Sequence, residues 1–374
     1  MGEPNSLINV GGEQCEEYDG SFYAALRAHF KLSDDFLVGF NWHLACGGGK
    51  GGNKLGLTDD RRFMIKELSL GDHQSLLELT PQYCAHVLAN DRLLLAPFFA
   101  HIRRPSQDAD FVVMGNTMVE PNLTATDALE LEGEAVGAAR AAELAAKQTY
   151  TVYDLKGSAD DKVLVIAGQK IPAVHLRWHN CALRVAECLH ENERAEQIAP
   201  GRVRYFRGKL HAREVSFSCT AQQHSSLLSA MTRDVAFLRE HGLMDYSLLL
   251  SIRKLPIDTP PAVVTSMFKH STAGQLLMSS DGGKLVVMQV GLIDFLQRWT
   301  LTKQIARQIK FLEFNKATEP PPYYAARFLS YFARKFKPIA KPWPPPTTLC
   351  RVDNVKLAST REQWLSRFFS SSRE

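Results

Sequence analysis

No stretch of this sequence is both long and apolar enough for a membrane-spanning helix, which needs roughly 18 to 20 consecutive apolar residues, so the chain is expected to touch a membrane without crossing it. The seven cysteines form no CxxC pair and no even framework. That speaks against a disulfide scaffold or a zinc site and fits free thiols in the cytoplasm. Neither sign of charge dominates: a formal net charge of +4 is too small to draw in a nucleic acid, and none is expected as a partner. The chain also lacks an internal repeat and the charged-then-apolar layout of a secretory leader. Its start, Met1-Gly2-Glu3-Pro4-Asn5-Ser6, satisfies the letter of a myristoylation pattern, but acidic Glu3 and stiff Pro4 suit a plain polar tail better.

What remains is a chain of 374 residues, 45% hydrophobic and 22% charged, enough for a sizeable core in one or two lobes. Phe22 to Phe30 repeats apolar residues at helical spacing behind Ser21, a natural N-cap. The glycine-rich CGGGKGG (Cys46 to Gly52) precedes a strand at Arg62 to Leu68, a helix from Asp72 to Leu88 and a strand at Asp110 to Met118. This order makes residues 1–118 a nucleotide-binding lobe. Residues 119–148 turn to Ala and Glu and read as an inserted, solvated helix. A second lobe, 149–374, opens with a strand at Thr149 to Ser158. It continues with a helix that shows Leu227, Leu228, Met231, Val235 and Leu238 on one face and ends at Gly242, and later with the strand Lys284 to Phe295. The last fifth is punctuated by proline and closes on a helix with Ser359 and Glu362 as a capping box.

Two apolar stretches each hold one carboxylate. In GLMDYSLLL (Gly242 to Leu250), Asp245 interrupts an interior-looking run, and Asp294 stands near the end of KLVVMQVGLIDF. Burying an unpaired charge costs several kcal/mol by order of magnitude, so Asp245 is expected at the lip of a cleft facing a cation. Phosphoryl transfer needs a glycine-rich backbone near the phosphates, a lysine for their charge, an acid to hold that lysine, an acid for the metal and an acid beside the attacking hydroxyl. Gly47 to Gly52, Lys66, Asp245 and Asp294 come in protein-kinase-like order. Taken alone, a glycine cluster is a flexible loop and a strand lysine a solvated one; the signal is their spacing. Asp154 and Lys156 lie two apart on one strand, so a surface ion pair worth about 0 to 1 kcal/mol competes with a functional role. From Arg298 to Lys341, ten Lys or Arg stand against Glu313 and Glu319 alone, a basic stretch that suggests an anionic surface as partner.

RFMIK (Arg62 to Lys66), YDLKGS (Tyr153 to Ser158), MDYSLLL (Met244 to Leu250) and GLIDFLQRW (Gly291 to Trp299) resemble the signature segments of the phosphatidylinositol phosphate kinases. FYAALRAHF, PQYCAHV (Pro81 to Val87), RDVAFLREHGLMDYS and PPPYYAARFLSYF (Pro320 to Phe332) extend the likeness over most of the chain from Phe22 to Phe332, the Ala-rich insertion excepted. The resemblance implies a two-lobed, protein-kinase-like lipid kinase of α/β (α+β) class, with antiparallel sheets and packed helices. It implies ATP and Mg2+ as cofactors, a phosphatidylinositol monophosphate as substrate and a peripheral station on an anionic membrane; a homodimer is compatible with it.

The same resemblance implies roles. Lys66 would contact ATP phosphates beneath a loop containing Gly49, Lys50 and Gly52. Val113, Met114 and Asn116 would form the hinge at the adenine, and Asp294 would ligate magnesium. Asp245 would stand beside the lipid hydroxyl, near Asp154 and Lys156, with Lys156 reaching phosphate or substrate. Lys303, Ala306, Arg307 and Lys310 would meet the head group and membrane. Three departures stand out. The family's glutamate after the lysine falls by counting on Asp72, with Gln74 nearby; its basic pair after the magnesium acid is Lys303-Gln304; and Ala306 occupies a place where the 5-kinases carry Glu and the 4-kinases Ala. The last two imply relaxed selectivity between the 4- and 5-monophosphates. The rival reading is a catalytically silent scaffold that binds phosphoinositides through the basic stretch; Asp72 and Gln304 favour it, while intact Lys66, Asp245 and Asp294 oppose it. A protein kinase is disfavoured by the lack of HRD and DFG segments.

Overall fold

The computed structural model describes residues 4–44, 46–47, 54–118, 142–143, 145–158, 160–171, 200–268, 274–300 and 319–339. The glycine loop residues Gly49, Lys50 and Gly52, most of the insertion, the specificity residues Lys303, Ala306, Arg307 and Lys310, and the terminal helix lie outside the described residues.

Alternation along short strands builds a seven-stranded antiparallel sheet. Its strands are β1 (Ser6–Val10), β2 (Glu13–Tyr18), β3 (Cys46–Gly47), β4 (Lys54–Leu57), β5 (Phe63–Glu67), β6 (Phe98–Arg104) and β7 (Ala109–Gly115), in the order β1-β2-β6-β7-β5-β4-β3. Side chains on a strand alternate between faces. In β5 this sends Phe63 and Ile65 into a small core with Phe99, Phe111 and Val113, and leaves Met64 and Lys66 on the opposite face. Helices α1 (Gly20–His29) and α2 (Leu70–Ala89) contribute Tyr23, Leu26, Leu76, Leu79, Tyr83 and Val87 to the main core. α1 begins two residues earlier than its periodicity predicts, and its N-cap is Asp19 at φ 51°, not Ser21. The cause is a close approach: a Cβ at Gly20 would meet the Ser6 Oγ at 1.9 Å, and the Gly20 N–H donates to Asn5 Oδ1 at 3.0 Å.

A second antiparallel sheet holds β8 (Thr151–Leu155), β9 (Lys162–Ile166), β10 (Gln169–Lys170), β12 (Ser247–Pro256), β13 (Gln275–Asp281) and β14 (Lys284–Ile293), in the order β10-β9-β8-β12-β14-β13. One of its faces sends Leu248, Leu250, Val290 and Leu292 into the main core. Leu255, Val287 and Met278 enter a satellite core with Val263 and Val264 of α5 (Pro261–Phe268). Ala142 and Ala146 are fully buried in that satellite, so the end of the insertion is packed rather than solvated.

The remaining described α-helices and strands are α3 (Pro200–Glu214), α4 (Ala221–Glu240) and α6 (Pro321–Lys335), with β11 (Phe217–Thr220) and β15 (Phe336–Ile339) paired in parallel. Thr220 and Gln223 form a full capping box that starts α4, and Leu227, Met231, Val235 and Leu238 are buried as their spacing predicts; Leu228 is half-buried. α6 buries Tyr324, Phe328 and Phe332 along one stripe, each worth about 1.5 to 3 kcal/mol of apolar burial. The mixed α/β class, the antiparallel sheets and the packed helices are those expected. Among the described residues, no helix is long and apolar enough to cross a membrane.

One seam joins the sheets. Leu292 of β14 donates its N–H to Leu94 O at 2.6 Å and accepts from Ala96 N at 2.9 Å, which lays the link between α2 and β6 along the second sheet.

Candidate functional site

Antiparallel pairing of β12 with β14 sets Ser247 opposite Ile293, so the chain entering β12 and the chain leaving β14 sit at one edge. Asp245 and Asp294 occupy these two positions, with φ of 65° and 57°. A non-glycine residue in the left-handed region is strained by about 1 to 2 kcal/mol, and its surroundings must hold it there. Here Met244 N donates to Gln297 O at 2.9 Å, Trp299 N donates to Gly242 O at 3.1 Å, and the Tyr324 hydroxyl of α6 donates to the Tyr246 carbonyl. Tyr246 itself is buried against Tyr324 and Phe328.

Each acid meets a lysine. Lys156 Nζ lies 2.5 Å from Asp245 Oδ1 and 2.8 Å from Asp245 O, and this is the cation that the lone carboxylate calls for. Lys66 Nζ lies 2.6 Å from Asp294 Oδ1, with half of the Asp294 side chain open to solvent. Burial pushes the Asp294 carboxyl up, but Lys66 in contact, with Lys156 and Lys162 nearby, holds it below the usual carboxylate range. Two acids are thus each met by one lysine, with Lys162 acting on Asp294 from farther off.

Asp154 has a cation of its own. Cross-strand register sets it opposite Lys162 of β9, and its Oδ2 lies 2.6 Å from Lys162 Nζ. Lys156 follows the end of β8 at Leu155, and Gly157 turns the chain at φ 66°. Burial pushes the Lys162 ammonium down, but Asp154 and its neighbours raise it overall. Asp154 Oδ1 is buried and has no hydrogen-bond partner among the described residues.

Asp72 is not the partner of Lys66. It sits in the first turn of α2, where its N–H donates to the Ser69 cap at 3.2 Å and the helix N-terminus favours its charge; Gln74 is exposed. The hinge expectation divides. Met114 pairs with Met64 across β5 and β7 and shares the face of Lys66. Val113 instead points into the small core, and Asn116 ties the turn before β5, donating from Nδ2 to Arg61 O at 2.8 Å. The basic stretch loses part of its free charge to structure. Arg298 pairs with Glu78 at 2.8 Å, Arg327 with Glu319 at 2.6 Å, and buried Lys335 donates to Ala212 O, Arg213 O and Val215 O at the end of α3. Arg334 and Lys337 remain exposed.

Sequence reasoning passed over Lys162 and Asp161, which stand at the start of β9. The signal for Lys162 was its cross-strand pairing with Asp154, which a register shift between Val152 and Tyr153 conceals from a count along one strand, while that for Asp161 lay in a turn and in α6.

Among the described residues there is no group of three or more His, Cys, Asp or Glu that could hold a metal. Magnesium asks for less, one or two carboxylates completed by phosphate oxygens and water. Asp294, whose carboxylate contacts no described group but Lys66 through Oδ1, and Asp154, with its orphaned Oδ1, are donors of the right chemistry. Lysines for phosphate charge, an acid for a hard cation and an acid poised at the cleft are the parts of a phosphoryl-transfer site.

The family model described as Phosphatidylinositol-4-phosphate 5-Kinase matches residues 42–275. The chain is 25% identical over 312 residues to phosphatidylinositol 4-phosphate 5-kinase 6 of Arabidopsis thaliana, covering 77% of this chain and 40% of that protein. It is 24% identical over 332 residues to phosphatidylinositol 4-phosphate 5-kinase type-1 beta of Homo sapiens, covering 78% and 52%. The chain therefore spans about half the length or less of these curated relatives.

Proposed function

Because the chain belongs to the phosphatidylinositol phosphate kinase family, we propose that it transfers the γ-phosphoryl group of ATP to an inositol hydroxyl of a phosphatidylinositol monophosphate, giving a bisphosphate. The observation that carries this reading is the convergence of Lys66–Asp294 and Lys156–Asp245 at the shared edge of β12 and β14. Residues 1–118 would hold the nucleotide, with Met114 at the hinge and Lys66 exchanging Asp294 for phosphate oxygens. Asp294, with Asp154 as a second candidate donor, would hold Mg2+, which supplies charge neutralisation on the phosphates when bound. Asp245 would accept the proton of the attacking hydroxyl at its carboxylate, and Lys156 would keep that carboxylate oriented. The second lobe, 149–374, would present the lipid from the cytoplasmic face of a membrane. Exposed Arg334 and Lys337, with Lys303, Arg307 and Lys310, would add about 1 kcal/mol of attraction per well-placed cation. Ala306 and Gln304 favour acceptance of both the 4- and the 5-monophosphate.

The test incubates the protein with labelled ATP, Mg2+ and vesicles carrying each of the three monophosphates, and identifies products by position. A bisphosphate from any of them supports the reading. Vesicle binding without turnover on all three would favour the silent scaffold.

A further inference from the structure

β8 ends at Leu155, and within six residues the chain must deliver Lys156 to Asp245, turn and re-enter the sheet as β9 at Lys162. The side chain that organises this turn is Asp161. Its residue is 1% exposed. Oδ1 accepts from Lys156 N at 2.6 Å and from Ser158 N at 3.3 Å, and Oδ2 accepts from the Tyr331 hydroxyl of α6 at 2.5 Å. No lysine, arginine or histidine among the described residues forms an ion pair with it. A buried carboxylate answered by two backbone N–H groups and one phenol is costly unless every bond is made, so it fixes the backbone that makes them. The turn is pressed against the same helix at a second point, since a Cβ on Gly157 would meet the Tyr331 ring at 3.2 Å. α6 also holds the other acid, through the Tyr324 hydroxyl on the Tyr246 carbonyl.

We infer that Asp161 and Tyr331 are positioning residues for the transfer reaction: Asp161 fixes the Lys156 backbone, Tyr331 fixes Asp161, and the Lys156 ammonium is thereby set on Asp245. The inference rests on the kinase reading for its effect on turnover, not for its geometry. Lys156 reaches Asp245 from the residue whose N–H Asp161 holds, so loss of the carboxylate frees the lysine's backbone anchor. A misplacement of about 1 Å can cost on the order of 100-fold in rate.

A double-mutant cycle on the full chain tests it. Asp161→Ala is expected to lower kcat by about 30- to 100-fold while KM for ATP changes little, and Tyr331→Phe to lower it by a smaller factor. In a Lys156→Ala background the same Asp161→Ala change is expected to cost no more than about twofold. Equal losses in both backgrounds, or an unchanged kcat in the single variant, would overturn the inference. If Asp161→Ala does not fold, Tyr331→Phe, which removes one hydroxyl, carries the same cycle. If the wild type phosphorylates none of the three lipids, the kinase reading falls, and the geometry is then read from lysine-labelled protein. The Lys156 side-chain resonance, assigned by its loss in Lys156→Ala, should shift in Tyr331→Phe and in Asp161→Asn. Its standing still in both would overturn the positioning role.

Discussion

Asp245 and Asp294 flank the paired ends of β12 and β14 and share one uncommon backbone state, with φ of 65° and 57°. A strand can send a side chain only to one face or the other. In this chain one face of those strands is filled by Leu248, Leu250, Val290 and Leu292. Stepping out of the extended conformation is how each acid leaves the sheet, and Lys156 and Lys66 meet them there.

Replacing Asp294 by Asn keeps the shape and removes the charge. Turnover on the lipid substrate should fall by two or more orders of magnitude, while the thermal midpoint stays within a few degrees because the side chain is half exposed. Initial rates and a melting curve on the same preparation check both halves, and near-wild-type phosphorylation would remove Asp294 from the metal.

Gly157→Ala should destabilise the fold by more than the roughly 1 to 2 kcal/mol of left-handed backbone strain, since φ is 66° and the new Cβ would also stand 3.2 Å from the Tyr331 ring. A denaturant midpoint measures this. The equivalent change at Gly12, also at positive φ but with nothing within 4 Å of its Cβ, carries the backbone strain alone and should cost less.

His101 predicts an acid limb. Burial first, and His73 second, push its imidazole down to about 3, against about 6.5 in an unfolded chain. The unfolded state therefore binds a proton that the folded state refuses between those values. Stability from this group is fully present above pH 6.5 and declines by up to about 1.4 kcal/mol per pH unit below it. His73 Nδ1, 3.0 Å from His101 Nε2, and Tyr18, whose ring is 4.7 Å away, face it. Asp110 stands behind His73 at 3.5 Å. Urea unfolding between pH 7 and 4 should show that slope reduced by about one proton in His101→Phe; an unchanged slope would mean that His101 protonates in the folded state.

Head-group selection is expected to be relaxed. With Ala306 and Gln304 in place, initial rates on the 4- and 5-monophosphates in the same vesicles should lie within about tenfold, or roughly 1.4 kcal/mol of transition-state difference. Ala306→Glu should widen that ratio. A hundredfold preference in the wild type, or a ratio that ignores the added carboxylate, would place selection elsewhere.

The acids were legible because each interrupts an apolar run that has only one reason to tolerate a charge, and Lys66 because it follows glycines in a strand of clear period two. α4 was legible because its buried leucines keep helical spacing. The pairings were not. Asp154 reads as a neighbour of Lys156 along the chain, yet a register shift at Val152 and Tyr153 turns it toward Lys162. A charge count assigns Lys335 to a membrane, while three backbone carbonyls at the end of α3 claim it. The Asp19 cap depends on the approach of Ser6 to Gly20, a contact between distant residues that no local pattern contains.

The bonds from Leu292 to Leu94 and Ala96 also have a kinematic meaning. Leu292 lies two residues ahead of Asp294, so the strand that presents the acid is clamped to the link entering β6, and that clamp serves as a fulcrum for any rotation of the first sheet over the second. Lys66 rides on β5, which is separated from β6 by β7, a lever arm of roughly 10 Å at ordinary strand spacing. A swing of about 10° on that arm carries a side chain roughly 1.7 Å, enough to part Lys66 from Asp294 at 2.6 Å while the acid itself stays where β14 put it.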